Sequence, residues 1–277
     1  MKALLVAMAF LTASAADAGP ALNHVYVVLD QATFDAMRSD PHIAHLLGPS
    51  DGGLPDYTPS RADAGRIFLR GRTTYLELFA PKNRFDEPVG KIGIALTEDR
   101  PRTFERLSKQ WQAYCPATYS RATVVWTRSQ PSIPWYDSIQ CRETAERPDI
   151  SIWAMTYRPD FGRWQLGFPA TDRRTILAPR RAAGQGRFDI AGLELSLPAH
   201  LQGQVARQLI AAGMTAVKRG DATILKGRGW SLTLRRSNRS IVRTIAIRLR
   251  IDIRVSSTID AGTSRLLAKG RNIALTF

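Results

Sequence analysis

Three ionisable residues stand inside runs that otherwise read as buried β-strand. Glu77 sits between Leu76 and Leu78 in TTYLELFAP (residues 73–81). His24 sits in LNHVYVVLD (residues 22–30), and Lys91 opens KIGIALTED. Residue chemistry alone leaves two roles open for Glu77. It could be a general base if its pKa were raised, which a nearby Lys91 would oppose. It could equally form a structural ion pair with Lys91 or His24 that satisfies buried charge.

Side chains alternate across a strand, so each run divides into two faces. Thr73, Tyr75, Glu77 and Phe79 share one face, with Thr74, Leu76 and Leu78 opposite. His24, Tyr26 and Val28 oppose Val25, Val27 and Leu29; Lys91, Gly93 and Ala95 oppose Ile92, Ile94 and Leu96. The aliphatic faces are expected to pack on helices. The mixed faces, with Tyr26 and Tyr75 beside the ionisable groups, are expected to line a small-molecule pocket. In the C-terminal half, GWSLTLRR and TIAIRLRIDIR place Arg235, and Arg248 with Arg250, on polar strand faces. Guanidinium groups there would suit a carboxylate or phosphate; the alternative is a solvated basic sheet face. His42 and His45, in DPHIAHLL, read as surface residues near a helix end.

The elements that would position these residues recur. IFLRGRTTYLELFAP (residues 67–81) aligns without a gap on TILKGRGWSLTLRRS (residues 223–237), and each reads as a hairpin with a basic, glycine-containing turn. VGKIGIAL parallels VRTIAIRL, and NHVYVVL parallels AGLELSL. Phe104, Leu107, Trp111 and Tyr114 recur at helical spacing, as do Leu201, Val205, Leu209 and Ala212. Each half is therefore expected to begin strand, helix, hairpin, strand. Residues 116–148, rich in Pro, Ser and Thr, read as loops, and residues 178–186 as the linker between halves.

These runs resemble the vicinal oxygen chelate superfamily, the glyoxalase/bleomycin-resistance/dioxygenase-like proteins. LNHVYVVLD, TTYLELFAP and VGKIGIALTED carry the resemblance over residues 22–99, and the internal repeat extends it. It implies an α+β fold of tandem βαβββ modules, forming curved mixed sheets with helices on the outer faces. It also implies a divalent metal held by a first-strand His and a last-strand Glu, positions filled here by His24 and Glu77. The matching positions of the second module are Lys91 and Met155, and those of the second half are Gly192, Thr233 and Thr244. A protonated Lys cannot ligate a cation. The chain also resembles an exported bacterial group with no settled activity.

The chain has 277 residues, 44% hydrophobic and 23% charged, enough for a sizeable core. Lys2, an apolar run and SAADAGPA make a secretory signal over residues 1–18 and predict a periplasmic or secreted protein. In an oxidising compartment Cys115 and Cys141 are expected to pair, the alternative being two buried thiols. Formal net charge is +15, and the excess is all C-terminal. Residues 1–160 carry 18 Lys+Arg against 18 Asp+Glu, residues 161–277 carry 21 against 6. That asymmetry predicts a first domain over residues 21–177 and a second, basic, degenerate one over 187–277. Its partners would be a small, anionic ligand or an anionic envelope surface; export argues against nucleic acid. No Ser–His–Asp pattern, phosphate loop or cysteine-rich zinc spacing is visible. Three functions stay open at this level: a metal-dependent lyase, isomerase or dioxygenase-type enzyme using Glu77 and Lys91, a ligand-sequestering protein, or an envelope-docking protein. The oligomeric state is not legible.

Overall fold

The computed structural model describes residues 19–53, 57–142, 150–178, 181–237 and 245–277. The expected signal segment, residues 1–18, lies outside them, as does Thr244. Among the described residues no helix is long and apolar enough to cross a membrane. The fold is α+β, built on two mixed sheets.

The first sheet has seven strands. β1 (Ala21–Val28) is followed by α1 (Gln31–Ser39) and α2 (Pro41–Leu47), then the hairpin β2 (Arg66–Arg70) and β3 (Tyr75–Phe79). β4 (Ile92–Thr97) leads through α3 (Pro101–Tyr114) to β5 (Tyr119–Trp126), β6 (Ile133–Cys141) and β7 (Ile150–Tyr157). The order is β2-β3-β1-β4-β7-β6-β5. In each module the last strand runs parallel to the first, β3 on β1 and β7 on β4, and the modules meet through the antiparallel β1–β4 pair. This is the arrangement the repeat and the family resemblance lead one to expect. Residues 116–148 depart from the expectation of loops, because β5 and β6 fall there. The β-branched and aromatic residues of YSRATVVW outweigh the nearby prolines. Pro134 is tolerated because it pairs with Val125 where the register shifts at a bulge. Cys115, capping α3, is bonded to Cys141 at the end of β6. Closing a loop of 26 residues contributes about 3 kcal/mol by the chain-entropy estimate.

After α4 (Pro159–Leu166) and α5 (Arg173–Leu177), the second sheet opens with β8 (Phe188–Leu197) and α6 (Ala199–Ala211). It continues with β9 (Thr215–Arg219), β10 (Ala222–Gly227) and β11 (Trp230–Arg236), then the long hairpin β12 (Ile245–Ala261) and β13 (Ser264–Thr276). The order is β13-β12-β8-β11-β10-β9, with β11 parallel to β8 and β12 antiparallel to it. The repeated segments thus become equivalent hairpins, β2–β3 and β10–β11. The last unit is a hairpin without a helix.

The aliphatic faces pack as the alternation predicts. Val25, Val27, Leu76, Leu78, Ile92, Ile94 and Leu96 are buried, as are Leu193, Leu195, Leu232, Leu234, Ile247 and Leu249, and one hydrophobic cluster contains them all. Phe104, Leu107 and Trp111 of α3 and Val205 and Leu209 of α6 join it. Polar contacts also link the halves. The Asp189 carboxylate accepts from the Thr73 backbone N–H and hydroxyl, the Ile190 N–H donates to the Thr74 hydroxyl, and the Trp230 indole donates to the Pro20 carbonyl. Of the stretch expected to be a linker, residues 181–186 are anchored, with the Gly186 N–H donating to Arg70 O and the Gln185 amide to Pro49 O.

Candidate functional site

The mixed face of the first sheet lines a cavity of about 490 Å³. Its floor is set by strand register. One row is Tyr75, His24 and Ala95; the next is Glu77, Tyr26 and Gly93. The imidazole of His24 stacks on Tyr75, with centroids 4.4 Å apart and planes 12° apart, and meets Trp153 edge-on. Tyr26 needs the space over Gly93. A Cβ there would fall 1.9 Å from Tyr26 Cε1. Gly93→Ala is therefore expected to drive the ring from its place, cost about 1–3 kcal/mol as other overpacked sites do, and block the cavity. A thermal melt beside a ligand titration would check both effects.

Electrostatics on the floor follow from burial. His24 Nδ1 lies 2.8 Å from Asn23 Oδ1, which can only accept, so Nδ1 carries the proton and Nε2 its lone pair. Burial lowers the imidazole pKa to about 3, so the ring is neutral near pH 7. Its contact with Glu77, 3.9 Å from Nε2 to Oε2, is accordingly not an ion pair. Glu77 is instead paired with Arg66, whose Nη1 donates to Oε1 at 3.1 Å. Burial pushes the Glu77 pKa up, and Arg66 followed by Arg84 pull it back. Nε2 and Oε2 are thus two acceptors facing one gap, too far apart to bond each other and suited to a shared donor from a ligand.

Aromatic rings make the walls. Phe68, Phe79, Trp126, Trp135, Tyr136, Trp153 and Tyr157 all line the cavity. Burial raises the phenols of Tyr136 and Tyr157 to about 12, so both stay protonated. At the rim, Arg84 stacks over Phe85 at 4.5 Å and Arg128 over Trp126 at 5.3 Å. Neither forms a salt bridge among the described residues, although Arg84 feels the Glu77 carboxylate across the cavity. Partial burial, then repulsion from Arg66, lower the Arg84 pKa, but a guanidinium keeps its charge.

The sequence-derived residues divide accordingly. His24, Tyr26, Tyr75 and Glu77 converge on the cavity. Lys91 does not line it; its ammonium lies 2.5 Å from Glu87, so the cation beside Glu77 is Arg66 instead. Arg235, Arg248 and Arg250 lie on the second sheet, where Arg235 pairs with Glu194. His42 and His45 are exposed on α2. Sequence reasoning passed over Arg66, Arg84, Arg128 and the tryptophans. The alternation of SIWAMTY would have put Trp153, Met155 and Tyr157 on one face, but no local pattern brings the β5–β6 hairpin over the cleft.

The metal that the family resemblance implies does not fit this donor set. His24 Nε2 and Glu77 Oε2 are two donors, one fewer than the three protein ligands of a catalytic zinc centre. The other two expected positions carry Lys91, committed to Glu87, and Met155, a weak thioether donor. Among the described residues, no group of three His, Cys, Asp or Glu comes together elsewhere.

Comparison with known proteins gives a family and a fold. A hypothetical protein from Staphylococcus aureus is similar in structure, with a TM-score of 0.52 and 12% identity, over 87% of this chain and 95% of that one. A variant of homoprotocatechuate 2,3-dioxygenase from B. fuscum shows a TM-score of 0.45 and 13% identity, over 83% of this chain and 57% of that one. For a 4-hydroxymandelate synthase variant from Streptomyces coelicolor the values are 0.39 and 12%, over 80% and 64%. The first likeness is one of fold. No curated protein matches. A family model described as a family of unknown function matches residues 22–277, and the chain belongs to that family, DUF5829.

Proposed function

We propose that this protein binds a small planar organic anion in the cleft of its first sheet, on a vicinal-oxygen-chelate-type scaffold, and that it sequesters or carries that ligand without a metal. One observation carries the reading. A cavity of about 490 Å³ is walled by aromatic rings and rimmed by Arg84 and Arg128, two cations that form no salt bridge among the described residues. Rings supply stacking surface for a flat body, and guanidiniums supply a charge partner for its acid group. The paired acceptors His24 Nε2 and Glu77 Oε2 would take a donor at the inner end.

Trp126, Trp135 and Trp153 line the cleft, so tryptophan fluorescence reads its occupancy. Benzoate and 2-naphthoate are expected to quench it saturably. Benzyl alcohol, flat but uncharged, should bind at least tenfold more weakly, and Arg84→Gln with Arg128→Gln should erase the difference. Absence of saturable quenching by every planar acid tried would refute the reading. A proton-transfer enzyme in the same cleft is the second reading, favoured by the burial-raised pKa of Glu77. It requires turnover of a bound acid that Glu77→Gln abolishes while binding persists.

The proposal includes export. Its support is the basic, apolar, small-residue order of residues 1–18 and the Cys115–Cys141 disulfide, a bond characteristic of oxidising compartments.

A further inference from the structure

The second sheet repeats the floor of the first with the chemistry exchanged. Where the first sheet has the row Tyr75, His24, Ala95, the equivalent row of the second is Ser231, Gly192, Arg248. A large ring beside a small alanine has become a large guanidinium beside no side chain at all. Gly192 is buried, and a Cβ there would lie 2.5 Å from Arg248 Nη2 and 2.9 Å from Nε. The guanidinium therefore lies across the glycine, and Nη2 donates to Ser231 Oγ at 3.0 Å.

We propose that Arg248, seated on Gly192 and held by Ser231, is the centre of a second binding site, one that takes an oxyanion of the phosphate or carboxylate class. Arg248 meets no carboxylate among the described residues. The two acids nearest in register are already engaged: Glu194 accepts from Arg235 at 2.6 Å, and Asp189 accepts from Thr73. Lys226 continues the same row beyond Ser231, and Arg250 lies two residues along β12; both are exposed. A guanidinium fixed by its own neighbours loses less freedom on meeting an oxyanion than a free surface arginine does. The chain's charge excess falls wholly in this half, which raises local anion concentration. The site is separate from the aromatic cleft and does not depend on what that cleft binds.

Two probes cover the two sources of such an anion: inorganic phosphate, titrated calorimetrically into the full chain, and phosphatidylglycerol vesicles, tested by co-sedimentation. Saturable phosphate binding identifies a soluble oxyanion as ligand. Binding to vesicles alone identifies a lipid headgroup. In either case Arg248→Gln should weaken binding at least tenfold. Gly192→Ala keeps every charge but displaces the guanidinium, and should weaken binding severalfold with the far-ultraviolet spectrum intact. Arg219→Gln, at the far edge strand, should change it less than twofold. Binding of neither probe, or a loss as large in Arg219→Gln as in Arg248→Gln, or no loss in Gly192→Ala, would overturn the site.

Discussion

Arg70→Ala is expected to lower the unfolding free energy by about 3–5 kcal/mol, the usual cost of removing one partner from a buried ion pair. Both partners are nearly inaccessible, with side chains 1% and 0% exposed for Arg70 and Asp51. Arg70 Nε lies 2.6 Å from Asp51 Oδ2, and Nη2 donates to Gly53 O at 2.7 Å. Asp51 in turn accepts from the Gly53 and Thr58 N–H groups and bridges to Phe68 of β2. Burial raises the Asp51 pKa, and the Thr58 N–H and then Arg70 pull it back. Without Arg70 the carboxylate must ionise unpaired or take up a proton, and the loop it organises loses its anchor. Denaturant unfolding measures the loss. The double variant Arg70→Met with Asp51→Leu should recover only part of it: the stranded charge is gone, but the Gly53 and Thr58 N–H groups lose their acceptor.

The second large effect is acid sensitivity from His24. In the unfolded chain its imidazole takes a proton near pH 6.5, whereas in the folded protein burial delays this to about pH 3. Between those values the unfolded state binds more protons, so stability falls as the pH falls, by up to about 1.4 kcal/mol per pH unit. Glu77 acts in the opposite sense. Its folded pKa is raised, so its contribution is greatest below 4.5 and is lost as pH rises through the folded value. Above pH 4.5 it offsets part of the His24 loss; from 4.5 down to 3 it offsets nothing further. Comparing the protein with His24→Gln across pH 7 to 4 isolates the imidazole. The stability difference should shift steadily toward the variant as the pH falls. A constant difference would mean that the ring is not held neutral.

Much of this site was legible before the fold was known. Strand alternation placed His24, Tyr26, Tyr75 and Glu77 on one face, because a period of two is fixed by backbone geometry and needs no tertiary knowledge. The gap-free repeat likewise located the β2–β3 and β10–β11 hairpins. Partner choice was not legible. Lys91 is near Glu77 in the pattern of faces, yet Arg66, two strands from β1 through β3, reaches the carboxylate first, while Glu87 captures Lys91 four residues away. The β5–β6 strands were hidden by their prolines and serines, and with them the tryptophan wall of the cleft. The exchange of volume between Ala95–His24 and Gly192–Arg248 requires the cross-strand register, which no single run discloses.

The most direct test is to treat the full chain with a chelator, verify by elemental analysis that no transition metal remains, and titrate it with 2-naphthoate while following tryptophan fluorescence. Our account predicts the same saturable binding before and after chelation, lost in Gly93→Ala. Binding that disappears with the metal and returns on adding a divalent ion would contradict it, and would make His24 and Glu77 a metal centre completed by donors we have not assigned.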